Sequence, residues 1–165
     1  MPDVSQESTM WDDCCEYTTV QEVRVKSIVY LGVGAIEKID GILGQLKAEG
    51  IKAVLCVCGG HAYRASGAWD KAVAAAHRHG IVLALYNRVA SSPTTDTVDE
   101  AVALGRAVNA GAVLAIGGGS PLDCGKGAAV VLANPGKNAE DIFCSRFTPQ
   151  KALPLVAVNL THGTG

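Results

Sequence analysis

Ala115-Ile116-Gly117-Gly118-Gly119-Ser120-Pro121-Leu122-Asp123 decides the fold, because an apolar run, three glycines and a helix start follow one another without a gap. Ala112 to Ile116 has the composition of a buried strand, and Leu122 to Leu132 that of a helix ended by Asn134-Pro135-Gly136. Glycines let a backbone approach an anion closely, and a helix N-terminus offers unpaired N–H groups with partial positive charge. Pro121 suits the first helical position, since it lacks an N–H. The segment therefore has phosphate-site geometry. It is neither G-x-G-x-x-G, whose third glycine is absent, nor the P-loop, because no Gly-Lys-Ser/Thr follows. A tight strand-to-helix turn, in which glycines only relieve steric crowding, is the alternative.

Outward from this segment, strands alternate with single helices. Val23, Val25, Ile28, Val29 and Leu31 suggest strand segments ending at Gly32-Val33-Gly34, and Ile36, Ile39, Leu43 and Leu46 recur at helical spacing up to Gly50. Ala53 to Cys58 is continuously apolar, as in a parallel strand buried on both faces. A helix is expected over Ala68 to His79, a strand over Ile81 to Tyr86, and a helix opened by Pro93 with Val98, Val102, Gly105 and Val108 on one face. Leu155 to Val158 supplies a last strand. The fold class is α/β, a Rossmann-like parallel sheet with helices on both faces and right-handed crossovers. Residues 1–16 lack periodicity and are expected to be a flexible N-terminal arm, with residues 17–165 forming one α/β domain.

Composition narrows the function. With 165 residues, 48% hydrophobic and 18% charged, the chain has enough apolar surface for one core and too much for disorder. A net charge of −2 gives no basic footprint for nucleic acid. No run of eighteen apolar residues suggests a membrane helix, and the acidic, polar start is unlike a signal peptide, so a cytoplasmic location is expected. The six cysteines (Cys14, Cys15, Cys56, Cys58, Cys124, Cys144) lack C-x-x-C spacing and are expected to be reduced and mostly buried. His77 and His79 lie two apart on a helix, too far around it to close on one ion, and are expected to be solvated in its last turn. Lys126 is expected to pair with Asp123.

Gly117-Gly118-Gly119-Ser120-Pro121-Leu122-Asp123, with Lys126 behind it, resembles the GGGSxxD..K signature of the iron-containing (group III) alcohol dehydrogenases. Val29-Tyr30-Leu31-Gly32-Val33-Gly34-Ala35 is similar to the family's early strand-to-helix turn. Ser91-Ser92-Pro93-Thr94 falls where its Pro-Asn-Pro segment does, and Thr161-His162-Gly163-Thr164-Gly165 is similar to its PTTxGTGSE stretch. Asn159 and Leu160 depart from the usual Pro-Thr, and Ser92 from the usual Asn.

The resemblance implies a metal-dependent oxidoreductase that uses NADP or NAD to interconvert a small-molecule alcohol with an aldehyde or ketone. Gly118, Gly119 and Ser120 would hold the pyrophosphate, Asp123 would lie towards the nicotinamide, and Ser92, Thr161 and Thr164 would add contacts. The resemblance implies that the family's iron or zinc is held by an all-helical C-terminal domain, which is expected to be missing from these 165 residues. No metal ligand is therefore assigned, catalytic residues stay unknown, and this chain alone is expected to be inactive. His162 is either structural or catalytic. A homo-oligomer is expected, with no nucleic-acid or membrane partner. A stand-alone nucleotide-binding module without redox activity, and a glycerol dehydrogenase-like relative, are the alternatives.

Coenzyme choice rests on the end of the Ala53 to Cys58 strand. An acidic residue at such a position accepts hydrogen bonds from the adenosine ribose 2′-OH and repels a 2′-phosphate. None occurs before Asp70. Cys58-Gly59-Gly60-His61-Ala62-Tyr63-Arg64 resembles instead the Gly-Gly-Gly-Ser turn of the NADP(H)-using butanol and aldehyde reductase branch. The Gly59 and Gly60 N–H groups, with His61 or Arg64 adding charge, would then meet the phosphate.

Overall fold

The computed structural model describes residues 21–24 and 27–161, in two compact units, residues 1–38 and 39–165. The expected arm (1–16), Cys14, Cys15, His162 and Thr164 lie outside the described residues. In the first unit β1 (Gln21–Arg24) and β2 (Ile28–Leu31) pair antiparallel, with Gln21 opposite Leu31. A 3-10 turn (Ala35–Glu37) follows, entered through Gly34 at φ 81°. Left-handed backbone there explains the glycine.

The second unit takes in all of α1 (Lys38–Ala48) after its first residue, and Ile39, Leu43 and Leu46 are the buried stripe of that helix. Then come β3 (Ala53–Gly59), α2 (Ala62–Ala65), α3 (Ala68–His79), β4 (Val82–Val89) and α4 (Thr95–Ala107). The chain continues through β5 (Ala112–Gly117), α5 (Gly119–Ala133), α6 (Ala139–Phe143) and β6 (Leu155–Asn159). The sheet is parallel, in the order β4-β3-β5-β6.

This order has a direct physical consequence. From β3 the chain steps one way to β4 through α3, then reverses past β3 to β5 through α4. Right-handed crossovers in opposite directions put their helices on opposite faces, so both faces of the central strands must be apolar. Val54 to Cys58 and Val113 to Ile116 are accordingly 0% exposed. Leu55, Val57 and Val113 join Val98, Ala101, Val102, Cys124, Ala128 and Val131 of α4 and α5 in one core cluster. The helices approach the sheet closely through small residues. A Cβ on Gly125 would lie 2.7 Å from the Ala115 Cβ, and one on Gly105 would meet Leu132 at 3.0 Å.

Several boundaries differ from the sequence expectations. The glycine segment is not a five-residue loop: α5 begins at Gly119, so Pro121 occupies its third position. Any of the first four helical N–H groups is unpaired, so proline costs nothing there either. Thr94 rather than Pro93 opens α4, its Oγ1 accepting from Thr97 N at 3.2 Å. The strand expected over Ile81 to Tyr86 extends to Val89. Two short helices, α2 and α6, carry too few residues to show periodicity. His79 is half-buried rather than solvated: its ring packs where a Gly44 side chain would be and its Nε2 lies 3.1 Å from Asp40 Oδ1, whereas His77 is exposed.

Gly125→Ala tests the close packing of α5 on β5. The overpacked methyl outweighs the better helix propensity of alanine, for an expected loss of about 1–2 kcal/mol. Urea denaturation checks this, and a variant as stable as the wild type would show that the contact yields without cost.

Candidate functional site

β3 and β5 are neighbours whose following connections leave in opposite directions, and the crevice beyond their carboxyl ends is where open α/β sheets bind ligands. Both strands end in glycine, Gly59 and Gly117. Pro121 accounts for Gly117, and the Val89 carbonyl together with Pro121 accounts for Gly59. A Cβ on Gly117 would lie 2.6 Å from the Pro121 Cγ, and one on Gly59 would lie 3.3 Å from the same atom and 2.6 Å from the Val89 carbonyl oxygen. Pro121, buried, is thus wedged between the two strand ends. It fixes where the α5 N-terminus sits relative to the crevice.

The three glycines of this segment differ in their surroundings. Gly118, the N-cap, would press an added Cβ onto Thr161 Oγ1 at 3.0 Å. This glycine is therefore packed, and Gly118→Val would strain the fold as well as the site. Gly119 is exposed, with nothing within 4 Å of an added Cβ. The open backbone is at Gly119, where a helix start can receive an anion.

The structure gathers further expected residues around it. Ser92, at φ 55°, donates its N–H to Ser120 Oγ at 3.3 Å. Thr161 lies against Gly118, held by its own N–H to Asn159 Oδ1 (3.3 Å) and by Asn159 Nδ2 to its carbonyl (2.6 Å). Leu160 N donates to the Gly117 carbonyl at 2.9 Å, closing the β6 end onto the glycine segment. Asp123 pairs with Lys126 at 2.9 Å, as expected, with both side chains largely exposed. A groove of 640 Å³ adjoins it, lined by Pro93, Thr94, Val98, Asp123, Gly127 and Phe143 among others.

At the end of β3, Gly60 (φ 35°) is exposed with open space where a Cβ would be, and His61 and Arg64 are also exposed. Tyr63 between them is buried and receives hydrogen bonds from Arg64 Nε (3.0 Å) and Asn87 Nδ2 (3.3 Å). Sequence reading passed over Tyr63 and Asn87. Nothing in their spacing reveals them, because α2 is one turn long and Asn87 reaches it from another strand.

Buried protonatable groups surround the crevice and favour their neutral forms. Cys56 and Cys58 share one face of β3, their sulfurs 3.7 Å apart, and that shared hydrogen bond followed by burial pushes the Cys56 thiol well up. Burial raises Cys124 to about 11. Tyr86 is raised to about 12, mainly by burial and then by its 2.9 Å bond to the Glu100 carboxylate. Cys56 and Cys124 therefore stay thiols near neutral pH. Cys56, Cys58, Cys124 and Cys144 are all free, and of these only Cys144 is exposed. Among the described residues no group of three or more His, Cys, Asp or Glu side chains is placed to hold a metal ion, and no helix is long and apolar enough to cross a membrane.

The family model for iron-containing alcohol dehydrogenases matches residues 27–165. The chain belongs to the iron-containing alcohol dehydrogenase family. It is 46% identical over 156 residues to a long-chain primary alcohol dehydrogenase of Thermoanaerobacter ethanolicus, covering 94% of this chain and 39% of that protein. Among solved structures, it superposes on an NADH-dependent butanol dehydrogenase A of Thermotoga maritima with a TM-score of 0.71 and 32% identity, covering 81% of this chain and 32% of that one. A sulfoacetaldehyde reductase of Bifidobacterium kashiwanohense, solved in complex with NAD+, gives a TM-score of 0.66 at 26% identity, covering 81% and 34%. The chain thus spans about a third to two fifths of the length of these iron-containing alcohol dehydrogenase relatives.

The raised pKa values predict an alkaline limit to stability. A group with a raised folded pKa stabilises fully below its unfolded pKa, and the gain is lost as pH climbs through the folded value. For Cys124 and Tyr86 that window runs from about 9 to about 12. The urea midpoint should be level below pH 9 and fall above it, and Cys124→Ala with Tyr86→Phe should flatten the fall. An unchanged slope in the double variant would remove these groups as its cause.

Proposed function

We propose that this chain forms the coenzyme-binding part of an NAD(P)-dependent alcohol dehydrogenase that interconverts a small alcohol with its aldehyde or ketone. Residues 17–165 are its dinucleotide-binding domain. The observation that carries the proposal is the open backbone at Gly119, at the start of a fifteen-residue helix and at the sheet's switch point. When bound, the nicotinamide supplies hydride transfer.

The chain's own residues bind and orient. The N–H groups at the start of α5, around Gly118, Gly119 and Ser120, face the pyrophosphate with the partial positive charge of the helix end. Ser92 fixes the Ser120 hydroxyl from across the crevice. Asp123, one turn along, has a carboxylate held by Lys126 and suited to accept from ribose hydroxyls. Thr161 contributes a hydroxyl from the β6 side, and Thr164 belongs to the same site by the family resemblance of its sequence. Among the described residues no cluster of side chains fits the family's metal.

At the β3 end, Gly59, Gly60, His61 and Arg64 form the adenosine-ribose side of the site. The absence of a carboxylate between Gly59 and Asp70 supports a preference for NADP, because nothing acidic there repels a 2′-phosphate. Relatives named as NADH-dependent make NAD the competing coenzyme.

Two measurements test this. Gly119→Val should melt within a few degrees of the wild type yet weaken coenzyme binding at least about tenfold, whereas Gly117→Ala should be destabilised through its clash with Pro121. Tight binding by well-folded Gly119→Val would dismiss the phosphate role. Calorimetry of NADP+ against NAD+ at two salt concentrations should show tighter, more salt-sensitive NADP+ binding, both features lost in the double variant His61→Ala with Arg64→Ala. A preference for NAD+ would reverse the coenzyme assignment.

A further inference from the structure

Arg64 follows Tyr63 directly in α2, yet it folds back across it. Consecutive residues on a helix do not face each other, so such a pair meets only when the longer side chain turns back. Here Arg64 Nε donates to Tyr63 Oη at 3.0 Å, and the guanidinium carbon lies 5.5 Å from the ring centroid. Tyr63 is itself immobilised. It is 1% exposed, stands edge-on to Trp69 with centroids 5.8 Å apart at 80°, and accepts a second hydrogen bond from Asn87 Nδ2 at the end of β4.

This arrangement consumes Nε and leaves the other end of the guanidinium free. Among the described residues no hydrogen bond or ion pair is formed by either Nη of Arg64, and no carboxylate pairs with it. Arg64 N also donates to the His61 carbonyl at 3.1 Å, which ties it to the turn that begins at Gly59. An exposed arginine held at one end with both Nη nitrogens unspent is pre-ordered for a tetrahedral anion, and pre-ordering reduces the entropy lost on binding.

We infer that Tyr63, braced by Asn87 and Trp69, is a positioning residue that presents Arg64 to the adenosine 2′-phosphate of NADP and thereby sets coenzyme preference. The inference rests on the NADP reading above. A lysine could not substitute for Arg64, since its single nitrogen cannot bind Tyr63 and still offer a paired fork.

The test uses the full-length protein, with NADP+, NAD+ and 2′,5′-ADP as calorimetric probes at low and physiological salt, and melting curves for every variant. Arg64→Ala should weaken NADP+ and 2′,5′-ADP about tenfold or more and leave NAD+ unchanged. Tyr63→Phe, which keeps the ring and deletes the hydroxyl, should weaken the same two probes about threefold to fivefold and add little to Arg64→Ala. Asn87→Ala, at an exposed position, should act in the same direction and decides the matter if Tyr63→Phe folds poorly. A silent Arg64→Ala would overturn the NADP reading and this inference together. An effective Arg64→Ala beside silent Tyr63→Phe and Asn87→Ala would overturn the inference alone. Equal losses for NADP+ and NAD+ in Tyr63→Phe would assign it a structural role and overturn the inference as well.

Discussion

The wedge of Pro121 between the ends of β3 and β5 is the constraint on which the site depends. The ring sits where a Cβ on Gly117 would lie, 2.6 Å from its Cγ, and 3.3 Å from where one on Gly59 would lie. Gly117 is therefore a packing requirement of Pro121, whereas Gly59 is required first by the Val89 carbonyl oxygen, 2.6 Å from the same Cβ position, and only second by the proline. Their effect reaches the surface, because the same wedge sets how α5 emerges from β5. The helix start at Gly119 is left open to the crevice, and Gly118 is pressed onto Thr161 behind it. In this segment Gly119 is open, and Gly117 and Gly118 are packed.

The sheet order reinforces this placement. Reversal of the chain after β4 buries β3 and β5 on both faces and leaves their carboxyl ends without a crossing connection. Small residues in α4 and α5 let those helices approach the sheet, and thiols and a tyrosine fill the remaining space in their neutral forms. Such a core is dry and resists adding charge. Polar work is confined to the rim, where Ser92, Ser120, Asp123 and Thr161 converge from three different elements and connections.

Much of this was legible beforehand. The strands Ala53 to Cys58 and Ala112 to Ile116 declare themselves because burial on both faces demands unbroken apolar runs, and α3 was bounded correctly by its spacing and Gly80. The Asp123–Lys126 pair followed from helical geometry alone. Helix starts were harder to place. Proline at 93 and 121 points to the helix starts in the sequence, but a capping side chain at Thr94 and a glycine at 118 set them, since proline is tolerated anywhere in the first turn. Short elements such as α2 and α6 escaped because one turn carries no periodic signal.

By itself, then, the sequence determined the α/β alternation, the buried central strands, the glycine segment at a helix start and the family it resembles, all of which depend on residues near one another along the chain. Only the tertiary structure decided which glycine is open and which is packed, that Ser92 meets Ser120, that His79 is half-buried on Gly44, and that Asn87 braces Tyr63. The contacts Tyr63–Asn87, Ser92–Ser120, Gly44–His79 and Gly118–Thr161 join residues 24 to 43 positions apart, created when parallel strands and their crossovers fold over one another, and no local pattern encodes such a distance.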